Sequence, residues 1–215
     1  MTIHQVFSGV PYDSNIFLVK GDRNVLIDTG TGQASSTVIA KIKQLLDGEP
    51  LHFVILTHCH TDHAGGLGSI LEEFGSTAYA MSPDSDRIRN ADPTYTLSTM
   101  FGIDIEPQPV TDIHDGDLID IGAHKLRILS SPGHTEGGLC VYDEATGALF
   151  SGDTMFAVGI GRTDFPSGDF DSIRKSIFRI SNIDIIGVYP GHGDCSERYG
   201  SDCVKRALIM VGEFN

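Results

Sequence analysis

Apolar positions along this chain gather in short runs that alternate with amphipathic stretches. Asn15-Ile16-Phe17-Leu18-Val19 and Asn24-Val25-Leu26-Ile27-Asp28 read as strands. Val38, Ile39, Ile42, Leu45 and Leu46 recur at helical spacing and predict a helix over 35–46, stopped by Asp47-Gly48-Glu49-Pro50. Phe53-Val54-Ile55-Leu56 predicts the next buried strand, and Leu67, Ile70, Leu71 and Phe74 a short helix after it. The second half repeats the pattern, with strands near 124–129, 139–143, 148–151 and 184–189. A helix over 171–180 turns Ile173, Ile177 and Phe178 inward and starts with an acid that suits its positive end; a last helix near 200–211 carries Val204, Leu208 and Val211. Between 82 and 109 the periodicity breaks on prolines and mixed polar residues, predicting a loop with a short helix in which Tyr95, Met100 and Phe101 either line a pocket or clamp the loop. Two sheets packed face to face with helices outside satisfy this order, so the expected class is α/β.

Length and composition add bounds. With 215 residues and 40% hydrophobic composition, one domain over 1–215 is enough to bury a core. No apolar stretch reaches the roughly 18 residues that span a bilayer, and Met1 to Val6 lacks the basic start and apolar centre of a secretion signal, so no membrane partner and a cytoplasmic location are expected. A formal net charge of −14 disfavours nucleic acid as a partner, and the acids are scattered through loops rather than gathered in a run. Four cysteines without Cys-x-x-Cys spacing give no disulfide framework, and Cys59 reads as a packing residue.

Candidate chemistry begins where the strand over 53–56 ends, at Thr57-His58-Cys59-His60-Thr61-Asp62-His63. A histidine on a loop is often a surface residue with no ligand. Here two histidines are followed at fixed spacing by Asp62 and His63, then by Ala64-Gly65-Gly66, whose small side chains let backbone pass close by. That donor set points to a metal site, and a tight turn after the strand is expected to converge the donors on one point instead of spreading them around a helix. Three more candidates each follow a strand-like run beside glycine: His134 in Ser131-Pro132-Gly133-His134, Asp153 in Ser151-Gly152-Asp153-Thr154, and His192 in Pro190-Gly191-His192-Gly193. Each alone suits a turn; the repeated order of strand, glycine and donor argues for one assembled site at a common sheet edge.

The His-x-His-x-Asp-His sequence with the separate His, Asp and His resembles the metallo-β-lactamase superfamily, over nearly the whole chain from Asp28-Thr29-Gly30 to the turn at His192. The resemblance implies the four-layer αβ/βα sandwich. It implies that His58, His60 and His134 hold one metal and Asp62, His63 and His192 a second, with Asp153 bridging. Three protein donors per metal and a shared carboxylate leave room for solvent, the mark of a catalytic site; the implied cofactor is two divalent ions, zinc first, with iron or manganese acceptable to the same donors. Water between two such ions ionises near neutrality instead of near about 15.7, so the implied nucleophile is a metal-held hydroxide.

Gly161-Arg162-Thr163-Asp164-Phe165-Pro166-Ser167-Gly168-Asp169 narrows the resemblance to the glyoxalase-II-like branch, and to the iron-dependent persulfide dioxygenases related to it. Arg162 and Asp164 either orient an anionic substrate or pair and shape their loop. The resemblance gives Asp28 a supporting role behind a metal-binding histidine; as a residue it also suits a turn. No Gly-x-Ser-x-Gly elbow, P-loop or dinucleotide fingerprint appears, so a serine nucleophile or a nucleotide cofactor is not expected. The leading expectation is a dinuclear metallohydrolase on a small-molecule thioester or activated ester, because a thiolate of pKa about 8.5 leaves without a strong acid. Asp62 is the expected catalytic side chain, taking a proton or holding the second metal. Only 23 residues follow His192, so the C-terminal helical glutathione-binding domain of full-length glyoxalase II is not expected. A mononuclear iron dioxygenase on His58, His134 and Asp153 is the alternative, and a non-catalytic metal-binding protein the third reading.

Overall fold

The computed structural model describes residues 1–212. Six strands form the first sheet: β1 (Thr2–Val6), β2 (Ile16–Lys20), β3 (Asn24–Ile27), β4 (Leu51–Ile55), β5 (Thr77–Ala80) and β6 (Thr111–Asp112), side by side in that order. The first two pairings are antiparallel and the other three parallel. The second sheet holds β7 (Leu118–Asp120), β8 (Lys125–Ser130), β9 (Leu139–Asp143), β10 (Ala148–Gly152) and β11 (Gly187–Pro190), again in chain order, antiparallel except for β10 with β11. The helices are α1 (Ser35–Leu46), α2 (Thr61–Ala64), α3 (Leu67–Phe74), α4 (Asp84–Arg89), α5 (Ser98–Phe101), α6 (Phe170–Ile180) and α7 (Gly200–Met210).

Alternation within strands builds the layers. In β2, Phe17 and Val19 face the second sheet, meeting Leu126, Ile128, Val141 and Phe150, while Ile16 and Leu18 pack outward with Val38 and Ile42 of α1 and Ile70 of α3. The outer face of the second sheet does the same with α6 and α7, through Leu149, Ile173, Ile177, Val204 and Leu208. Strands apolar on both faces therefore read as continuous runs, and the result is the four-layer αβ/βα sandwich.

Several boundaries differ from the sequence expectation. The strands β1, β5, β6 and β7 are not marked by apolar runs: β6 and β7 are short and largely exposed, and β5 contributes only Ala78 and Ala80 to full burial. The last strand starts at Gly187, not near 184. Helix α6 starts at Phe170, with the Asp169 carboxylate accepting from the Ser172 N–H at 2.7 Å as its N-cap. The irregular stretch over 82–109 holds two short helices, α4 and α5, instead of one.

Candidate metal centre

Each candidate donor lies just beyond the C-terminal end of a strand. His58 and His60 follow β4, His134 follows β8, Asp153 is next after β10, and His192 follows β11. Asp62 and His63 correct the expected geometry: they sit on α2, a single helical turn, with His60 extended ahead of it as the N-cap. Asp62 and His63 point about 100° apart on this turn, and His192 lies between them, its Nε2 within reach of both side chains. Close backbone approach behind them requires glycine, since a Cβ on Gly66 would overlap the Thr29 carbonyl oxygen. At the opposite loop a Cβ on Gly191 would overlap Asp153 Oδ1 and stand 2.6 Å from the His63 ring.

Backbone hydrogen bonds tie these loops together across the sandwich. Asn15 N–H donates to the Gly191 carbonyl at 2.6 Å, Leu139 N–H to Thr57 at 2.9 Å, and Ser14 N–H to Asp62 at 3.1 Å. Asp84, fully buried in α4, accepts from Cys59 N–H at 3.0 Å, from Gly137 N–H at 3.0 Å and from Arg87 at 2.8 Å, joining the loop of His58 and His60 to that of His134. Nothing in the sequence pattern singled out Asp84, because its partners are backbone groups from distant segments. Cys59 is buried with its thiol toward the Tyr95 carbonyl at 3.3 Å, a packing position.

All seven expected residues converge. His58 Nε2 and His134 Nε2 stand 3.1 and 3.0 Å from His60 Nδ1. Across the site His192 Nε2 lies 3.0 Å from Asp62 Oδ2 and 3.3 Å from His63 Nε2. Asp153 lies between the groups, Oδ1 3.4 Å from His63 Nε2 and Oδ2 3.5 and 3.7 Å from the Nε2 atoms of His134 and His192. The potential donor atoms form overlapping groups, each within 4.8 Å: His58, His60 and His134; His58, His63 and Asp153; Asp62, His63 and His192.

Outer contacts fix which ring nitrogens face inward. His63 Nδ1 donates to Asp28 Oδ2 at 2.8 Å, and His134 Nδ1 donates to the Arg162 carbonyl at 2.7 Å. Thr57 gives its hydroxyl proton to Asp28 Oδ2 at 2.8 Å and so accepts from His58 Nδ1 at 3.1 Å. In the neutral imidazole each contact places the proton outside and the lone pair inside. Asp28 thus holds the His63 ring in place, and its backbone φ of 60° also puts it in the turn.

Charge in the cluster is finely divided. Burial, then the neighbouring imidazoles of His63, His60 and His134, hold His58 well below the ordinary imidazole range. Burial followed by His134 pushes His60 down to about 3. For His63 burial opposes the positive charge, yet the carboxylates of Asp28, Asp153 and Asp62 outweigh it and hold the group well above its usual value. Asp62 and Asp153 are buried, which favours their neutral acids, but the facing histidines keep both below the usual carboxylate range. Buried carboxylates and convergent lone pairs are an environment for positive charge. Asp153 Oδ1 fits this, being buried without a hydrogen-bond partner.

A cavity of about 320 Å³ opens onto the cluster, lined by His60, Asp62, His134, Asp153 and His192 and by Leu97, Met100, Phe101, Phe156, Ile160, Arg162 and Phe165. Met100 and Phe101 take the pocket role, whereas Tyr95 lies under the Arg87 guanidinium at 4.1 Å and clamps the loop. Arg162 and Asp164 form a two-pronged pair at 2.7 and 2.6 Å, with the guanidinium over the Phe165 ring at 3.9 Å. Leu97, Phe156 and Ile160 were not singled out from sequence; isolated apolar residues in loops give no periodic signal.

The profile of the metallo-beta-lactamase superfamily matches residues 9–193. A probable metallo-hydrolase of Methanocaldococcus jannaschii is 32% identical over 92% of this chain and 96% of its own. A probable metallo-hydrolase of Bacillus subtilis is 31% identical over 75% of this chain and 74% of its own. Among solved structures, TTHA1623 in a di-iron-bound form superposes with a TM-score of 0.76 at 28% identity, covering 90% of this chain and 93% of that one. The BLEG-1 B3 metallo-beta-lactamase shares the fold, with a TM-score of 0.80 at 24% identity over 95% of both chains. With its fold, its His and Asp cluster and these relatives in agreement, the chain belongs to the metallo-beta-lactamase superfamily.

Proposed function

We propose that the protein is a dinuclear metal-dependent hydrolase acting on thioesters or related activated esters, as in the glyoxalase-II-like branch. The observation that carries the reading is the pair of donor groups sharing Asp153 at the floor of an open pocket. On this reading His58, His60 and His134 would hold one divalent cation, Asp62, His63 and His192 the other, and Asp153 would serve both. The orphaned Asp153 Oδ1 and the inward lone pairs fit such ions, and the di-iron form of TTHA1623 supports a pair. Imidazole and carboxylate accept zinc, iron and manganese. When bound, the cations supply Lewis-acid activation of water and of the substrate's acyl oxygen.

The chain's own groups set the rest. Asp28, Thr57 and the Arg162 carbonyl keep protons on the outer ring nitrogens, so the inner ones remain free to bind. Asp62 stays ionised at neutral pH and is a weak proton acceptor, since an efficient general base titrates near the working pH; its role on this reading is to hold and orient. The pocket offers no side chain poised as a strong acid, because its carboxylates and imidazoles belong to the donor groups and its arginine stays protonated. A thiolate leaving group needs none. Leu97, Phe101, Phe156 and Phe165 form an apolar wall beside the donor groups.

Elemental analysis of protein purified without added metal is expected to return about two equivalents, with thioester turnover collapsing in His58→Ala. Full activity with a single equivalent would remove the mechanism. The single-iron dioxygenase reading leaves Asp62, His63 and His192 without a role, and for that reason the dinuclear reading is preferred.

A further inference from the structure

The pocket above the donor groups is divided in its chemistry. Five of its lining side chains belong to the donor set and six are apolar: Leu97, Met100, Phe101, Phe156, Ile160 and Phe165. The one remaining, Arg162, is its only lysine or arginine, and both prongs of its guanidinium are engaged by Asp164. The grooves flanking His192 on its other sides contain Asp13 and Asp194 and no basic side chain except His192 itself. A net charge of −14 adds to this local field. Outside the donor groups, an anionic carrier meets the carboxylates of Asp13, Asp164 and Asp194 and, among the described lining residues, no lysine or arginine free of a partner, and drawing Arg162 toward it leaves the Asp164 carboxylate unpaired at the mouth.

We infer that the site takes uncharged thioesters or esters with an apolar acyl group of moderate size, and discriminates against anionic carriers such as glutathione. The inference rests on the hydrolase reading and goes beyond it by fixing the charge and polarity of the substrate. The cavity is at the small end of ligand-sized pockets, so the acyl group, not a long carrier, fills it. Each methylene that leaves water for the apolar wall favours binding by up to about fourfold.

The test uses the metal-loaded protein and matched compounds. For hydrolysis, kcat/KM with S-hexanoyl-N-acetylcysteamine is expected to exceed that with S-hexanoylglutathione by about tenfold or more at low salt, the gap narrowing as salt rises. Within the neutral series from acetyl to hexanoyl, kcat/KM should climb about two- to fourfold per methylene. Calorimetry with the thioethers S-hexyl-N-acetylcysteamine and S-hexylglutathione, which have no scissile bond, should show the same preference in binding. Asp164→Asn, by releasing Arg162, should shift the glutathione-to-neutral ratio upward severalfold. Equal or better use of the glutathione compound, or a flat chain-length series, overturns the inference while leaving the hydrolase reading in place. Preferential binding of the neutral thioether with no turnover of either thioester supports the inference about the pocket and overturns the reaction instead.

Discussion

Replacing Asp28 by asparagine changes one atom and tests how the centre is held. The carboxylate accepts three hydrogen bonds in a fully buried position: Thr57 N–H on Oδ1 at 2.8 Å, and Thr57 Oγ1–H and His63 Nδ1–H on Oδ2, each at 2.8 Å. An amide has one oxygen. If it takes the Oδ2 position, the Thr57 backbone N–H faces an NH2 group; if it takes Oδ1, His63 and the Thr57 hydroxyl do. The first arrangement leaves a buried donor unpaired, at a cost of about 1–3 kcal/mol. The second drives the His63 proton to Nε2, into the position where a lone pair is needed. Outer contacts of this kind are worth about 10- to 100-fold in metal affinity, or roughly 1.4–2.7 kcal/mol. Competition against a chromophoric chelator is the assay; on the proposed dinuclear reading, the equivalent assigned to Asp62, His63 and His192 is expected to weaken by that factor and the other to change less. Asp28→Asn protein that binds both equivalents within about twofold of the parent would refute the reasoning.

Three further outcomes follow from the same geometry. Gly191→Ala would drive a methyl group into Asp153 Oδ1 and the His63 ring, so metal stoichiometry should fall below that of the parent while the far-UV spectrum is kept; an unchanged stoichiometry would contradict the close approach. Asp84→Ala removes the acceptor shared by Cys59, Gly137 and Arg87; Arg87 keeps Glu136, so the cost in urea unfolding should be about 1–3 kcal/mol for each of the two backbone N–H groups left unpaired, a total loss below about 1 kcal/mol showing that the two loops hold independently. Burial, then Glu197 and Asp194, push the Cys195 thiol up to about 11. Its folded pKa lies above the unfolded one, so the neutral thiol contributes stability below about pH 9 that is lost as pH climbs toward 11. Alkylation of folded protein should accordingly stay slow at pH 8.5 and accelerate toward pH 11, and a rate at pH 8.5 equal to that of the unfolded chain would disprove the shift.

The sandwich was legible wherever strands are buried on both faces. Phe17 to Val19, Val25 to Ile27, Val54 to Leu56 and Leu149 to Phe150 are apolar runs because helices cover one side and the other sheet covers the other. The strands β5, β6 and β7 were not legible, since edge and short strands with exposed positions carry no such run. The same contrast runs through the site. The strand, glycine and donor order announces His134, Asp153 and His192, whereas Asp84, Leu97, Phe156 and Ile160 act through neighbours distant in sequence. Arg162 and Asp164 read two ways from sequence, and their two-pronged pair is a contact that only the folded loop makes.

The sequence by itself determined the kind of chemistry available, because donor identity and spacing after a strand are local properties of the chain. It could also supply the layers, since burial on two faces is written into each run. Which donors share a partner was decided only in three dimensions: four of the seven come with the first sheet and three with the second, and only the packing of the two sheets places Asp153 between His63, His134 and His192. The polarity of the pocket is likewise a tertiary property. A charge pair cancels only when two side chains meet, and an apolar wall exists only when loops from both halves close around the same space.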